Sequence, residues 1–259
     1  MPPKCSDLWS LTSHWIEICP EIEGLIKVCS DNKDIQQLTI THSTDNTTSS
    51  SNNNNNNSNN NSVRAILKAE LDWVQSQISS KSPIVASHSD LLSGNIIIPN
   101  DISEALNKGS EATEKLLKEK YSQGDQSPIS FIDYEYMIKA PRAFDISNHF
   151  MEWQGFNCDK DLIPKPDINN QVMRIWCRSY LSAFTSSTSS KISDADVDKL
   201  INEIALYYGV PGFYWGVWAG IQSGISLIDF DYSNYSGERL IEYWNWKRWF
   251  LKLKLNSKI

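Results

Sequence analysis

The part of the chain after Pro141 constrains the fold most, because its apolar residues recur three and four positions apart in five successive segments. This spacing places apolar side chains on one face of an α-helix, and such faces must pack against one another. We therefore expect a helix bundle here. Ser193 followed by Asp196 predicts the start of the third helix as a capping box. The five predicted helices are 143–153, 168–184, 197–208, 215–227 and 238–253.

Short apolar runs separated by turn residues precede the bundle, at 84–86, 96–98 and 129–134. Runs of this length predict β-strands, and we expect them to form one small sheet. The charged segment 103–121 has too few apolar residues for a core-facing helix, so we expect a solvated excursion. Together these patterns predict an α+β fold that is predominantly α.

An uncharged polar tract divides the chain near its beginning, because residues 41–62 are almost wholly Asn, Ser and Thr. Such a composition cannot bury enough apolar surface to offset the entropy of ordering. Helical patterns on both sides indicate that the tract interrupts a helical hairpin. We predict a leading helical segment at 1–40, a disordered insertion at 41–62 and the main folded unit at 63–259.

Composition narrows the functional classes. The formal net charge is -7 and Lys and Arg form no long run, which argues against nucleic acid as a partner and suits a cationic substrate. The five cysteines are odd in number and lack metal-ligand spacing, which favours a reducing compartment, the cytosol. No apolar run approaches the roughly 20 residues of a membrane span.

Candidate catalytic residues lie between the predicted strands. Asp90 and Asn95 are five positions apart, a spacing that phosphotransferases use for a base and a magnesium ligand, and Asp133 ends the next predicted strand. The first pair alone is a weak signal, because Asp and Asn are common in turns. With Asp133 added, the set predicts a base and two metal ligands at one end of a small sheet.

Longer strings carry a family resemblance. In order, they read HSDLLSGNIII, FIDYEY, AFDISNHFMEWQGFNCD and WGVWAGIQSGISLIDFDY. As a set they resemble the signature blocks of eukaryotic ethanolamine and choline kinases. The resemblance implies that 63–259 is a protein-kinase-like C-terminal lobe with a small catalytic sheet and a helix bundle. It also implies ATP-dependent phosphorylation of ethanolamine, with Mg²⁺ as cofactor and choline as a second acceptor.

The same resemblance implies residue roles. Asp90 would be the catalytic base, and Asn95 and Asp133 would bind Mg²⁺. Aromatic faces and a carboxylate attract an ammonium group. For Trp215 and Trp218 core packing is the competing interpretation, since residues three apart on an apolar helix usually pack inward. The residues implied at the amino-alcohol pocket are Tyr136, Glu152, Trp215, Trp218 and Tyr235.

Four polar residues are expected to support the site without taking part in chemistry. His88 opens the catalytic motif, and Asp145, Asn148 and His149 follow on one predicted helix. We expect this helix to anchor the catalytic loop through hydrogen bonds. Leu92 and the string IDFDY at 228–232 both resemble the ethanolamine branch of the family more than the choline branch. The resemblance therefore favours ethanolamine as the substrate.

Two departures from the family pattern bear on activity. Ser89 stands where the family usually has Asn, and only seven residues precede Leu8. We identify no glycine-rich loop and no phosphate-contacting Lys, so we expect most of the ATP-covering lobe to be lacking. The exposed interlobe face would then need a second copy or a partner chain, unless the sequence is truncated. A non-catalytic remnant that binds an amino alcohol, or pairs with a complete kinase, is the alternative function.

Overall fold

The computed structural model describes residues 5–29, 62–121, 127–186 and 191–256, and most of them are helical. Apart from Ser62, which caps the helix Val63–Ile78, the predicted insertion lies outside the described residues. The helices are α1 (Leu8–Ile18), α2 (Glu23–Cys29), α3 (Val63–Ile78), α4 (Asn100–Lys108), α5 (Ser110–Leu116), α6 (Arg142–Met151), α7 (Gln171–Phe184), α8 (Asp194–Tyr207), α9 (Val210–Ile225) and α10 (Tyr232–Asn256).

The strands form two separate antiparallel pairs, which corrects the single sheet expected from the sequence. In the first pair Val85 lies opposite Ala140, and in the second Ile96 lies opposite Phe131. The run 129–134 yields only a two-residue strand, because Asp133 turns into a left-handed conformation just after it. The strands are β1 (Ile84–Ser87), β2 (Ile96–Ile97), β3 (Ser130–Phe131) and β4 (Ile138–Pro141).

The larger apolar core joins the first three helices to the last two. The centre of α9 is buried on all sides, which explains its nearly continuous apolar sequence. Gly212 lets α9 approach α10 closely, since a Cβ there would lie 2.5 Å from the Arg239 carbonyl oxygen. Leu8 and Leu67 bring α1 and α3 into the same core, so these two helices pack in one unit with the C-terminal pair.

A second core lies between α6, α7 and α8. Phe150 of α6 is fully buried there with Met173 and Ile201, while Phe144 of the same helix belongs to the larger core. Helix α6 is therefore held from both sides. This rigid position matters because Asp145, Asn148 and His149 lie on α6.

The five predicted helices after Pro141 are present, with ends shifted by up to six residues. The capping box at Ser193 is present too: its Oγ accepts from the Asp196 amide, and its own amide donates to the Asp196 carboxylate. The segment 103–121 is solvated, as expected: of α4 only Ile102 and Ala105 are buried, and α5 has no buried residue. Its helical form, α4, α5 and a short π-helical segment, was not predicted.

None of the helices in the described ranges is long and apolar enough to cross a membrane.

Candidate active site

The loop after β1 carries Asp90 and is held in place by the carboxylate of Asp145. Asp145 Oδ1 accepts from Ser87 Oγ at 2.7 Å and from the Ser89 amide at 3.0 Å, and Oδ2 accepts from the His88 amide at 3.4 Å. Three consecutive residues before Asp90 are thus bonded to one side chain of α6. A carboxylate with several donors orients a loop strongly, because charge-assisted hydrogen bonds are the stronger ones.

Helix α6 also binds the backbone carbonyls of the two residues that flank Asp90. Asn148 Nδ2 donates to the Ser89 carbonyl oxygen at 2.8 Å, and His149 Nδ1 donates to the Leu91 carbonyl oxygen at 2.9 Å. The Trp153 indole N–H points at His149 Nε2, 3.4 Å away, which matches the neutral tautomer. Burial lowers the pKa of His149 and so favours this uncharged form.

Asp90 and Asn95 are in direct contact. Asn95 Nδ2 donates to the Asp90 carbonyl oxygen at 2.8 Å and to Oδ2 at 3.1 Å. This use of the amide nitrogen leaves Asn95 Oδ1 as the atom able to accept a cation. Burial, followed by the charges of Glu152 and Asp133, raises the pKa of Asp90 to about 7, against the opposing effect of Asn95. A raised pKa makes a carboxylate a better proton acceptor.

His88 connects this loop to the segment that carries Asp133. Its Nε2 donates to the Ile132 carbonyl oxygen at 2.9 Å, and its Nδ1 accepts from the Asp90 amide at 3.3 Å. Ser89 and Asp133 both have left-handed backbone conformations, with φ of 64° and 65°. Non-glycine residues rarely adopt this conformation, and such strain clusters at functional sites.

Aromatic rings line the approach to these loops. The ring centroids of Tyr136 and Trp215 are 5.3 Å apart, and those of Trp215 and Trp218 are also 5.3 Å apart. Trp218 Nε1 donates to the Tyr136 hydroxyl at 2.8 Å, and Trp215 Nε1 donates to Asn148 Oδ1 at 2.7 Å. Trp215 is only 6% exposed, so it packs inside the protein and supports Asn148, which binds the Asp90 loop. Trp218 is partly exposed.

A second aromatic group continues this wall. Tyr232 lies 5.8 Å from Trp218 and 4.9 Å from Phe230, whose ring is 5.5 Å from that of Tyr235. With Phe156, the rings of Phe230 and Tyr235 line a cavity of about 340 Å³. Tyr235 therefore belongs to a neighbouring part of the wall rather than to the group around Tyr136.

Glu152 caps the C-terminal end of α6, and its Oε1 lies 3.3 Å from Nη2 of the fully buried Arg239. The negative charge of Glu152 contributes to the raised pKa of Asp90. Sequence reasoning missed Arg239, Phe156 and Phe230. The two Phe residues lie within the strings that resemble the family, which is the one signal for them, and Arg239 carries none.

Asn95 and Asp133 fit a magnesium ion by their chemistry. Within the described ranges, no group of three or more His, Cys, Asp and Glu side chains could hold a metal alone. Magnesium does not need such a cage, since it commonly binds one or two carboxylates together with water and substrate phosphates. The free Oδ1 of Asn95 and the exposed carboxylate of Asp133 match that ligand set.

This combination defines a class. A mostly helical lobe with small antiparallel strand pairs presents Asp90 five positions before Asn95, and Asp133 lies two residues after β3. This arrangement is typical of the protein-kinase-like fold.

Comparison with known proteins gives the family. The sequence model of the choline/ethanolamine kinase family matches residues 9–244. Ethanolamine kinase 1 of Mus musculus is 33% identical over 194 residues, covering 73% of this chain and 46% of that protein. Choline kinase A2 of Caenorhabditis elegans is 31% identical over 193 residues, covering 70% and 44%. The chain belongs to the choline/ethanolamine kinase family.

A solved structure agrees with the fold. The ethanolamine kinase of Plasmodium vivax superposes with a TM-score of 0.56 at 27% identity, covering 94% of this chain and 50% of that one. The chain thus spans about half the length of the relatives it matches.

Proposed function

We propose that this chain catalyses transfer of the ATP γ-phosphoryl group to the hydroxyl of ethanolamine, the entry step to phosphatidylethanolamine. The observation that carries the proposal is the Asp90–Asn95 contact beside Asp133 and Glu152. It gathers a base, two metal-ligand candidates and an ammonium partner around one loop. The unpaired thiols of all five cysteines support the cytosol as the place of this reaction.

Asp90 has the role of base in this proposal. Its carboxylate orients the ethanolamine hydroxyl and accepts the proton as the oxygen attacks phosphorus. The hydrogen bonds from α6 to the loop keep Asp90 in place, since small misplacements of reacting groups cost large factors in rate. Mg²⁺, held by Asn95 Oδ1 and Asp133, would neutralise charge on the ATP phosphates.

The ammonium group is recognised by aromatic faces and a carboxylate. Trp218 and Tyr136 provide rings whose faces attract a cation, and Glu152 supplies the opposite charge. Tyr235 extends the aromatic wall behind Glu152. The negative charge of the whole chain, -7, favours encounter with a cationic acceptor.

Ethanolamine is proposed as the preferred acceptor and choline as the second one. Relatives bearing either name match over similar lengths. The string LLSGN after Asp90 and the string IDFDY favour the ethanolamine branch. Both acceptors carry one positive charge and a hydroxyl, so the site chemistry serves either.

An exposed apolar surface favours a second candidate function, a lobe that acts with another chain. On the β2–β3 pair Ile97 and Phe131 are 46% and 45% exposed, and the two neighbours of Asp133, Ile132 and Tyr134, are 45% and 48% exposed. A surface of this kind on a soluble protein commonly marks an interaction site. Here it is where an ATP-covering lobe or a partner kinase would lie.

One assay separates these candidates. The purified chain is given ATP and Mg²⁺ with ethanolamine, choline or ethylene glycol, and phosphorylated product is measured beside an Asp90→Asn control. Faster transfer to ethanolamine than to choline, and little to the uncharged diol, supports the proposal. Transfer no greater than in the Asp90→Asn control would contradict it and favour the partner-dependent lobe.

A further inference from the structure

A buried cluster of charges lies behind Glu152, on the side away from solvent. Arg239 has no exposed side-chain surface, and Glu242, one turn further along α10, is 5% exposed. Arg239 Nη2 lies 3.3 Å from Glu152 Oε1, and Arg239 Nε lies 3.6 Å from Glu242 Oε2. One guanidinium is therefore shared between two carboxylates.

The two carboxylates differ in what they face. Glu152 is the more exposed of the pair, at 12%, and it ends α6 three residues after His149, which donates to the Leu91 carbonyl oxygen of the Asp90 loop. Glu242 lines a different cavity of about 490 Å³, beside Tyr208 and Trp246. Glu152 thus faces the catalytic loop, and Glu242 approaches Arg239 through another nitrogen.

The charge count of this cluster has a consequence for ligand binding. With both carboxylates ionised, Arg239, Glu152 and Glu242 sum to one net negative charge, and the most exposed of the three is Glu152. Burial raises the pKa of Glu242, and the charges of Arg239 and Lys160 oppose that rise and favour its ionised form. Without a charge on Glu242, Arg239 would neutralise Glu152 alone, at low dielectric where pairing is strong. The charges of Arg239 and Glu152 would then cancel, and a cationic ligand would bind beside a pocket wall with no net charge.

We propose that Glu242 is a specificity-determining positioning residue: by holding Arg239, it leaves the Glu152 carboxylate with charge to offer an ammonium group. Glu242 itself does not touch the acceptor. The inference rests on the proposed function, because it assumes that Glu152 faces an amino alcohol. It adds a residue outside the pocket that sets the pocket's charge.

Calorimetric titration of the purified chain with ethanolammonium chloride tests the inference without requiring turnover. Glu242→Gln keeps the size of the side chain and removes its charge, so the Kd should rise about tenfold or more. Glu152→Gln should weaken binding at least as much. The double variant R239Q/E242Q removes the competing guanidinium, and we expect its Kd to return to the wild-type value or below.

The recovery in R239Q/E242Q separates a charge effect from a structural one. A purely structural role for Glu242 would make the double variant bind more weakly than E242Q, and that result would overturn the inference. So would unchanged binding in E242Q while E152Q loses affinity. No binding by the wild-type chain, or full binding by E152Q, would overturn the proposed pocket and the inference with it. If E242Q does not fold, the double variant alone decides, since weaker binding than wild type contradicts the proposal.

Discussion

His88 Nε2 lies 2.9 Å from the carbonyl oxygen of Ile132, and this side-chain hydrogen bond joins the start of the Asp90 loop to the turn of Asp133. The Ile132 amide, in turn, donates to the Asn95 carbonyl oxygen at 3.1 Å. The other ring nitrogen of His88 accepts from the Asp90 amide at 3.3 Å. The imidazole thus helps to fix the position of the proposed base relative to a proposed metal ligand. It needs no role in chemistry to be important for rate.

Replacing His88 by Ala should therefore lower kcat strongly, by more than the loss of folded protein can explain. The Ile132 carbonyl loses its donor and the two loops move relative to each other, and a misplacement of about 1 Å can cost about 100-fold in rate. Steady-state kinetics and thermal unfolding measured together check this. His14→Ala on α1, outside the site, is the matched control. Wild-type kcat in the His88 variant would contradict the linking role.

Asp133 combines a strained backbone with a proposed metal-binding role, and two substitutions separate them. Asn tolerates the left-handed conformation, so Asp133→Asn should keep stability while raising the Mg²⁺ concentration needed for half-maximal transfer. Asp133→Ala should lose that response and about 1 kcal/mol of stability as well. Magnesium titrations and urea unfolding measure the two effects. An unchanged magnesium requirement in both variants would rule out Asp133 as a ligand.

Trp215 and Trp218 should differ in their contributions to stability. Trp215→Phe leaves Asn148 Oδ1 buried without its donor, with an expected cost of about 1–3 kcal/mol, plus the cost of a cavity. Trp218→Phe removes a donor from the partly exposed Tyr136 hydroxyl, which water can replace, so we expect about 1 kcal/mol or less. Denaturant unfolding compares them. Equal losses would mean that the Asn148 contact carries no special weight.

The free energy of unfolding should decrease at acidic pH because of His149. Burial holds the pKa of His149 below its usual value of 6.5. Just below pH 6.5 this side chain is therefore protonated in the unfolded chain but still neutral in the folded one. The sign follows directly: stability is retained above about pH 6.5 and lost as the pH falls below it. His149→Gln should show a shallower loss of unfolding free energy between pH 7 and 5 than wild type, with His14→Gln as control. An identical slope in His149→Gln would contradict this assignment.

The sequence was most informative where one periodicity runs over many residues. The helices after Pro141 could be predicted because each repeats apolar residues over several turns. Strand β4 was missed because it is four residues long and runs directly into α6. Helices α4 and α5 were missed because they bury little apolar surface and depend on local contacts, including exposed Lys–Glu pairs four apart.

Within the site, spacing indicated which residues should meet, and only coordinates give the connections between them. The Asp90–Asn95 contact could be expected from a five-residue separation in one loop. The Arg239–Glu242 cluster could not, because charged residues on a helix are usually solvated and no local pattern distinguishes a buried pair. Long-range bonds such as that from Trp215 to Asn148 depend on how α9 packs against α6.

Mg²⁺-dependent phosphoryl transfer from ATP to ethanolamine, measured for wild type and Asp90→Asn under single-turnover conditions, tests the central claim most directly. We expect phosphoethanolamine formation by the wild-type chain only with Mg²⁺, and a loss of at least about 100-fold in Asp90→Asn with unchanged thermal unfolding. Equal rates for the two proteins would contradict Asp90 as the base, and no product from either would contradict the activity proposed for this chain.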